Sequence, residues 1–69
     1  GIASIVMNAA NEVAVAAFLD RKLSFTGIFD VVTTMTQSFE ASAPTSAEEI
    51  LEVDAEARRR TAEFMAERR

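Results

Sequence analysis

Asn8, Asn11 and Glu12 head the stretch VMNAANEVAVAAFLD, residues 6–20, which is otherwise almost entirely apolar. Two amides and a carboxylate this close together can serve acid–base or ligand chemistry, cap a helix, or hydrogen-bond across an interface. On a helix the three share one face, at i, i+3 and i+4, and that face runs on into Val15, Phe18 and Leu19. Other reactive groups are scarce. The chain has no cysteine and no histidine, which removes a disulfide scaffold, the usual nucleophile–base pairs and the common zinc ligand sets. Its two glycines, Gly1 and Gly27, cannot build a phosphate-cradling loop. It has no Trp or Tyr to stack on a base, and its five phenylalanines suit core roles better.

Carboxylates and guanidiniums are what remain. Glu48, Glu49, Glu52 and Glu56 cluster together, and Glu49, Glu52 and Glu56 fall on one helical face, able to hold a cation weakly. A solvated face whose negative charge complements a helix N-terminus accounts for the same row with less assumed. Arg58, Arg59 and Arg60 offer a grip for phosphate. Three consecutive helical positions point in three directions, however, so pairing with the preceding acids is the simpler expectation.

Three helical segments must position these groups. Residues 4–20 are rich in alanine and free of proline and glycine, with Ser4 as a cap and Arg21-Lys22 at the far end, where cations suit the helix dipole. After the connector RKLSF, Thr26 is expected to cap a second helix over about 27–41. Ile28, Val31, Val32, Met35 and Phe39 form its apolar stripe. Adjacent apolar pairs break the alternation a strand would need. Pro44 marks the next connector, and Thr45 with Glu48, or Ser46 with Glu49, makes a capping-box pattern for a third helix over about 46–67. On that helix Ile50, Val53, Ala57, Thr61 and Phe64 line one face. Asp54–Arg58 and Glu56–Arg60 are acid-first pairs at i, i+4.

Short connectors between three helices imply an all-α fold, a small antiparallel three-helix bundle forming a single domain over residues 1–69. Its expected core is Ile5, Val13, Phe18, Ile28, Val31, Val32, Met35, Phe39, Ile50, Val53, Phe64 and Met65. A chain of 69 residues buries only about 60% of its unfolded surface, so marginal stability is expected. The net charge of −4 argues against a nucleic-acid partner. No apolar run reaches the ~18–20 residues of a membrane span, and no signal peptide is evident, so a membrane is not expected as a partner and a cytoplasmic location is.

The first helix is hydrophobic nearly all round and expects cover on nearly every side, more than two short partners can provide. Asn8, Asn11, Glu12, Val15 and Leu19 are therefore the candidate contact residues of a seam with another domain or another copy, where the polar groups find partners across the boundary. The start at Gly1, without an initiator methionine, fits a piece of a longer polypeptide.

The stretch MNAANEVAVAAFLDRKLSFTGIFDVV, residues 7–32, resembles the carboxy-terminal helical domain of the 1-deoxy-D-xylulose 5-phosphate reductoisomerases. So does PTSAEEILEVDAEARRRTAEF, residues 44–64. The likeness rests on the Asn-Ala-Ala-Asn-Glu word, on the connector residues Leu23, Phe25 and Ile28, and on Glu49, Leu51, Asp54, Ala55, Ala57 and Arg58 in the last helix. It implies an intact enzyme that uses NADPH and Mg²⁺ or Mn²⁺ to rearrange and reduce 1-deoxy-D-xylulose 5-phosphate, in the non-mevalonate route to isoprenoids. It also implies partners in the enzyme's other domains, and a homodimer. None of that family's catalytic, metal, phosphate or NADPH motifs falls within these residues, so no catalytic residue and no bound cofactor or metal is expected here. An independent helical interaction module is the alternative, and a carboxylate metal-binding protein the third reading.

Overall fold

The computed structural model describes residues 2–39 and 43–67, which form three helices: α1 (Ile2–Leu19), α2 (Phe25–Ser38) and α3 (Ala47–Glu67). The all-α expectation holds, with differences at the helix ends. α1 begins at Ile2, so Ser4 lies inside the helix and is not its cap. It stops in a left-handed turn at Arg21, φ 61°, where Arg21 N donates to Phe18 O (3.0 Å) and Lys22 N to Ala17 O (2.8 Å). These two bonds satisfy carbonyls of the last turn in the Schellman pattern, with an arginine where glycine is usual.

α2 starts earlier than expected. Ser24, not Thr26, is its cap, and the Ser24 hydroxyl accepts from Gly27 N at 3.0 Å. Serine wins because its extended backbone lets the hydroxyl reach the N–H three residues on. Gly27 suits this turn: a Cβ there would lie 2.7 Å from Leu23 Cδ1, so its absence lets Leu23 fold over the helix start. α2 ends at Ser38 with Phe39 as its extended C-cap, and the expected continuation over residues 40 and 41 lies outside the described residues. α3 is capped by Ser46, whose Oγ accepts from Glu49 N at 3.1 Å. The Glu49 carboxylate reaches one residue past the cap and accepts from Thr45 N at 2.7 Å.

α1 is the hub. It packs along both α2 and α3, which meet each other over a much smaller area. Phe18 meets Phe25 where the chain turns back, and Glu12 of α1 meets Arg58 of α3, so the chain runs up, down and up. The core centres on Val6, Ala9, Ala10 and Ala14 of α1, with Ile28, Val31 and Met35 of α2 and Ala57 and Thr61 of α3. The Thr61 hydroxyl is satisfied within its own helix by donating to Ala57 O at 2.6 Å. Val32, Phe39, Val53, Phe64 and Met65 pack at the margin, as expected of core residues in so small a bundle.

Four expected core members sit elsewhere. Ile5 and Val13 are only half-buried, while Phe18 is 36% and Ile50 44% exposed. The physical cause is the alanine face of α1: small side chains let neighbouring helices approach closely, and a phenylalanine does not fit such a seam. Size alone therefore misassigns the core of this helix.

One premise of the membrane reading changes: an apolar helix of spanning length is present where no run of that length is expected from sequence. At 18 residues and mean hydropathy 1.6, α1 has the length and composition to cross a bilayer. Within the bundle it serves as a core helix, with one flank buried against α2 and α3 and Glu12 ion-paired to Arg58.

Candidate docking surface

The face of α1 turned away from the core is a broad, partly apolar surface. Between α1 and α2 runs an open groove of about 500 Å³, lined by Ser4, Met7, Asn8 and Asn11 on one wall and Ile28, Phe29, Val32 and Thr33 on the other. A second, more open groove of about 480 Å³ separates α1 from α3, between Ser4, Ile5 and Asn8 and the residues Ile50, Leu51 and Asp54. Ser4 and Asn8 form the ridge common to both. Helical spacing puts them there: positions 4, 8 and 11 lie opposite Val6, Ala9 and Ala10, which anchor the helix in the core.

The five seam residues expected from sequence separate into distinct environments. Asn8 and Asn11 are exposed and line the grooves. Glu12 has found its partner inside the chain: Arg58 Nη2 donates to Glu12 Oε2 at 2.6 Å, while Arg58 Nε donates to Asp54 Oδ2 at 2.8 Å. Asn8 Nδ2 also points to Glu12 Oε2, at 3.4 Å. Asp54 first, then Glu12, raises the pKa of the Arg58 guanidinium above its ordinary value. Val15 is half-buried against the bundle's own core, and Leu19 is 73% exposed at the end of α1.

Sequence inspection missed the aromatic part of this surface. Phe18, Phe25 and Phe29 form an edge-to-face row, with centroids 5.8 Å apart at 63° and 5.6 Å apart at 87°. Phe25 and Phe29 are each 61% exposed. The available signal was the i, i+4 spacing of Phe25 and Phe29, which stacks two rings on the flank of α2 away from Ile28, Val31 and Met35.

The charged groups on α3 are engaged with one another. Arg59 donates to Glu56 (2.7 Å) and Glu63 (2.8 Å), and Arg60 donates to Glu56 (2.8 Å) while lying 4.5 Å above the Phe39 ring. The guanidiniums of Arg59 and Arg60 hold the Glu56 carboxyl down at about 2. The arginine triplet is thus a surface ion-pair lattice, as its spacing suggested. Among the described residues no three acidic groups gather as metal ligands, and every buried side-chain polar atom has a hydrogen-bond partner. The two glycines, Gly1 and Gly27, are far apart in the chain. What this surface offers is apolar area and exposed amides, which is docking chemistry.

Residues 1–60 match the family model of the DXP reductoisomerase C-terminal domain. The chain is similar to a 1-deoxy-D-xylulose 5-phosphate reductoisomerase of Chlorobium limicola, 50% identical over 60 residues, which is 87% of this chain and 16% of that protein. The corresponding protein of Burkholderia multivorans is 47% identical over 66 residues, 96% of this chain and 17% of its own length. Among solved structures, the Zymomonas mobilis reductoisomerase in complex with NADPH superposes with a TM-score of 0.85 at 44% identity, over 88% of this chain and 16% of that one. The chain therefore spans about one sixth of the length of these relatives. On this sequence match, and on a three-helix fold that superposes with it, the chain belongs to the DXP reductoisomerase C-terminal domain family.

Proposed function

We propose that this chain is the non-catalytic, structural terminal domain of an NADPH-dependent 1-deoxy-D-xylulose 5-phosphate reductoisomerase of non-mevalonate isoprenoid biosynthesis, packed on the rest of that enzyme. The observation that carries the proposal is the joining of family membership to an open face on α1. Residues matching a reductoisomerase domain leave Asn8, Asn11, Met7 and Phe29 turned to solvent beside unfilled grooves. In this reading Asn8, Asn11, Glu12, Val15 and Leu19 belong to the seam, with the two asparagines hydrogen-bonding across it. NADPH and Mg²⁺ or Mn²⁺ are held elsewhere in the intact enzyme, a cytoplasmic homodimer.

The test is direct. The purified 69-residue chain is expected to give no substrate-dependent oxidation of NADPH, whereas the full-length enzyme containing it turns over; activity of the chain alone overturns the proposal. In the full-length enzyme, Asn11→Leu is expected to lower the melting temperature while kcat stays within about twofold, consistent with a lost interfacial hydrogen bond of about 1 kcal/mol. A large fall in turnover with unchanged melting contradicts a structural role.

A second reading, an independent helical interaction module, draws on the same exposed rings. It requires the isolated chain to form a tight, specific dimer or to capture a partner helix. Sedimentation of the chain as a weakly stable monomer removes it.

A further inference from the structure

Among the described residues, two large exposed apolar side chains, Ile50 and Leu51, lie on α3, and five lie together on the α1–α2 side. Phe18, Phe25 and Phe29 form one edge-to-face row at the α1–α2 turn, Leu19 lies beside Phe18, and Met7 and Asn11 continue the surface along the groove that Phe29 walls. Met7 is 49% exposed and Leu19 73%. Asp20, Arg21 and Lys22 flank this end, with Lys22 paired to Asp20 at 3.1 Å. An apolar, aromatic centre with a charged rim is the anatomy of a protein–protein contact, and aromatic anchors carry much of the binding energy in such contacts.

The flank of α1 toward α3 is different. There Glu12 is already tied to Arg58, and α3 carries a lattice of ion pairs from Asp54 to Glu63. Charges that satisfy one another within the domain have little to gain from burial beneath a second surface.

Resting on the functional reading above, we infer that the α1–α2 side of this domain, anchored by the Phe18–Phe25–Phe29 row, is the face that packs on the remainder of the same reductoisomerase polypeptide, and that the ion-paired surface of α3 stays in water. The occupant follows from length: the relatives carry about five sixths of their chain outside the part matched here. Three partly exposed rings gathered in one row also form the contiguous kind of apolar patch that marks an interaction surface. The seam is thereby rotated toward α2 relative to the face that the Asn8–Asn11–Glu12 spacing alone suggests.

Hydroxyl-radical footprinting of the full-length enzyme, read peptide by peptide in a mass spectrometer, tests this on native side chains, since methionine and phenylalanine are both readily oxidised. Leu51, 69% exposed on α3, serves as the internal reference after correction for intrinsic reactivity. The expected result is that Met7, Phe18, Phe25 and Phe29 react at least about fivefold more slowly than Leu51, at every protein concentration, as for side chains at the dry centre of an interface. Reaction at rates matching their exposure in this domain overturns the inference. Protection that disappears on dilution also overturns it, because the occupant is then a second copy. Turnover measured on the same sample separates the two levels. An active enzyme with unprotected rings refutes the docking face alone, whereas an inactive, folded full-length chain refutes the reductoisomerase reading beneath it.

Discussion

Arg58 is the residue on which α1 and α3 converge. Its guanidinium takes Asp54 from its own helix and Glu12 from the other, and so converts a local i, i+4 pair into a tertiary tie. Glu12 is exposed and Asp54 only partly covered, so the tie sets register more than it adds stability. Glu56 offers a pH handle. Its carboxyl is held at about 2, against 4.5 for a free glutamate, first by Arg59 and then by Arg60. Because the folded pKa is the lower one, the stabilisation is present above the unfolded value and is lost as the pH falls from 4.5 towards about 2. Thermal unfolding across that window is expected to show an acid-induced loss that Glu56→Gln diminishes and that added salt weakens. Arg21 carries the opposite kind of feature, a left-handed backbone that an L side chain adopts at a cost. Arg21→Gly is expected to raise stability by up to about 1 kcal/mol, a shift of a few degrees in Tm, since glycine removes the steric strain but gives back some unfolded-state entropy.

At the scale of the element, cap chemistry decided where helices start. Thr26, with Phe25 before it and Asp30 in the first turn, reads as the cap of α2 from sequence, but Ser24 is as competent a cap residue. The structure takes Ser24, whose extended backbone lets its hydroxyl accept from Gly27 N, so α2 begins at Phe25. Ser24→Ala leaves Gly27 N without its acceptor and is expected to cost about 1 kcal/mol, measurable as a lower urea midpoint at unchanged m-value. The third helix was the most legible. Ser46 with Glu49, the Asp54–Arg58 and Glu56–Arg60 pairs, and the stripe through Val53, Ala57 and Thr61 all follow from i, i+3 and i+4 spacing, which is local. Only Ile50, at the start of that stripe, departs from it, because the groove between α1 and α3 opens at its level.

For the whole molecule, the decisive feature is close approach through small residues. Ala9, Ala10 and Ala14 on α1 and Ala57 on α3 are fully buried, so the bundle is tight where its side chains are smallest. Ala57→Leu is expected to destabilise the domain by about 1–3 kcal/mol through overpacking, seen as a fall in Tm. The bulkier Met7, Phe18 and Leu19 of α1 lie outside that seam, and Phe18 meets Phe25 of α2 at its edge to begin the aromatic row.

The sequence by itself determined the helical class, the three segments, the α3 ion pairs and the family resemblance, because each rests on local periodicity or on short words of fixed spacing. From local spacing it also offered Asn8, Asn11, Glu12, Val15 and Leu19 as one contact face. Only the tertiary structure decided that Glu12 is answered by Arg58 from a position 46 residues away, that Val15 packs half-buried against the core, and that Phe18, Phe25 and Phe29 stand together outside it. Hydrophobicity states that a side chain prefers to be covered. Whether this chain covers it depends on how closely three particular helices approach one another, and the alanines of α1 set that distance.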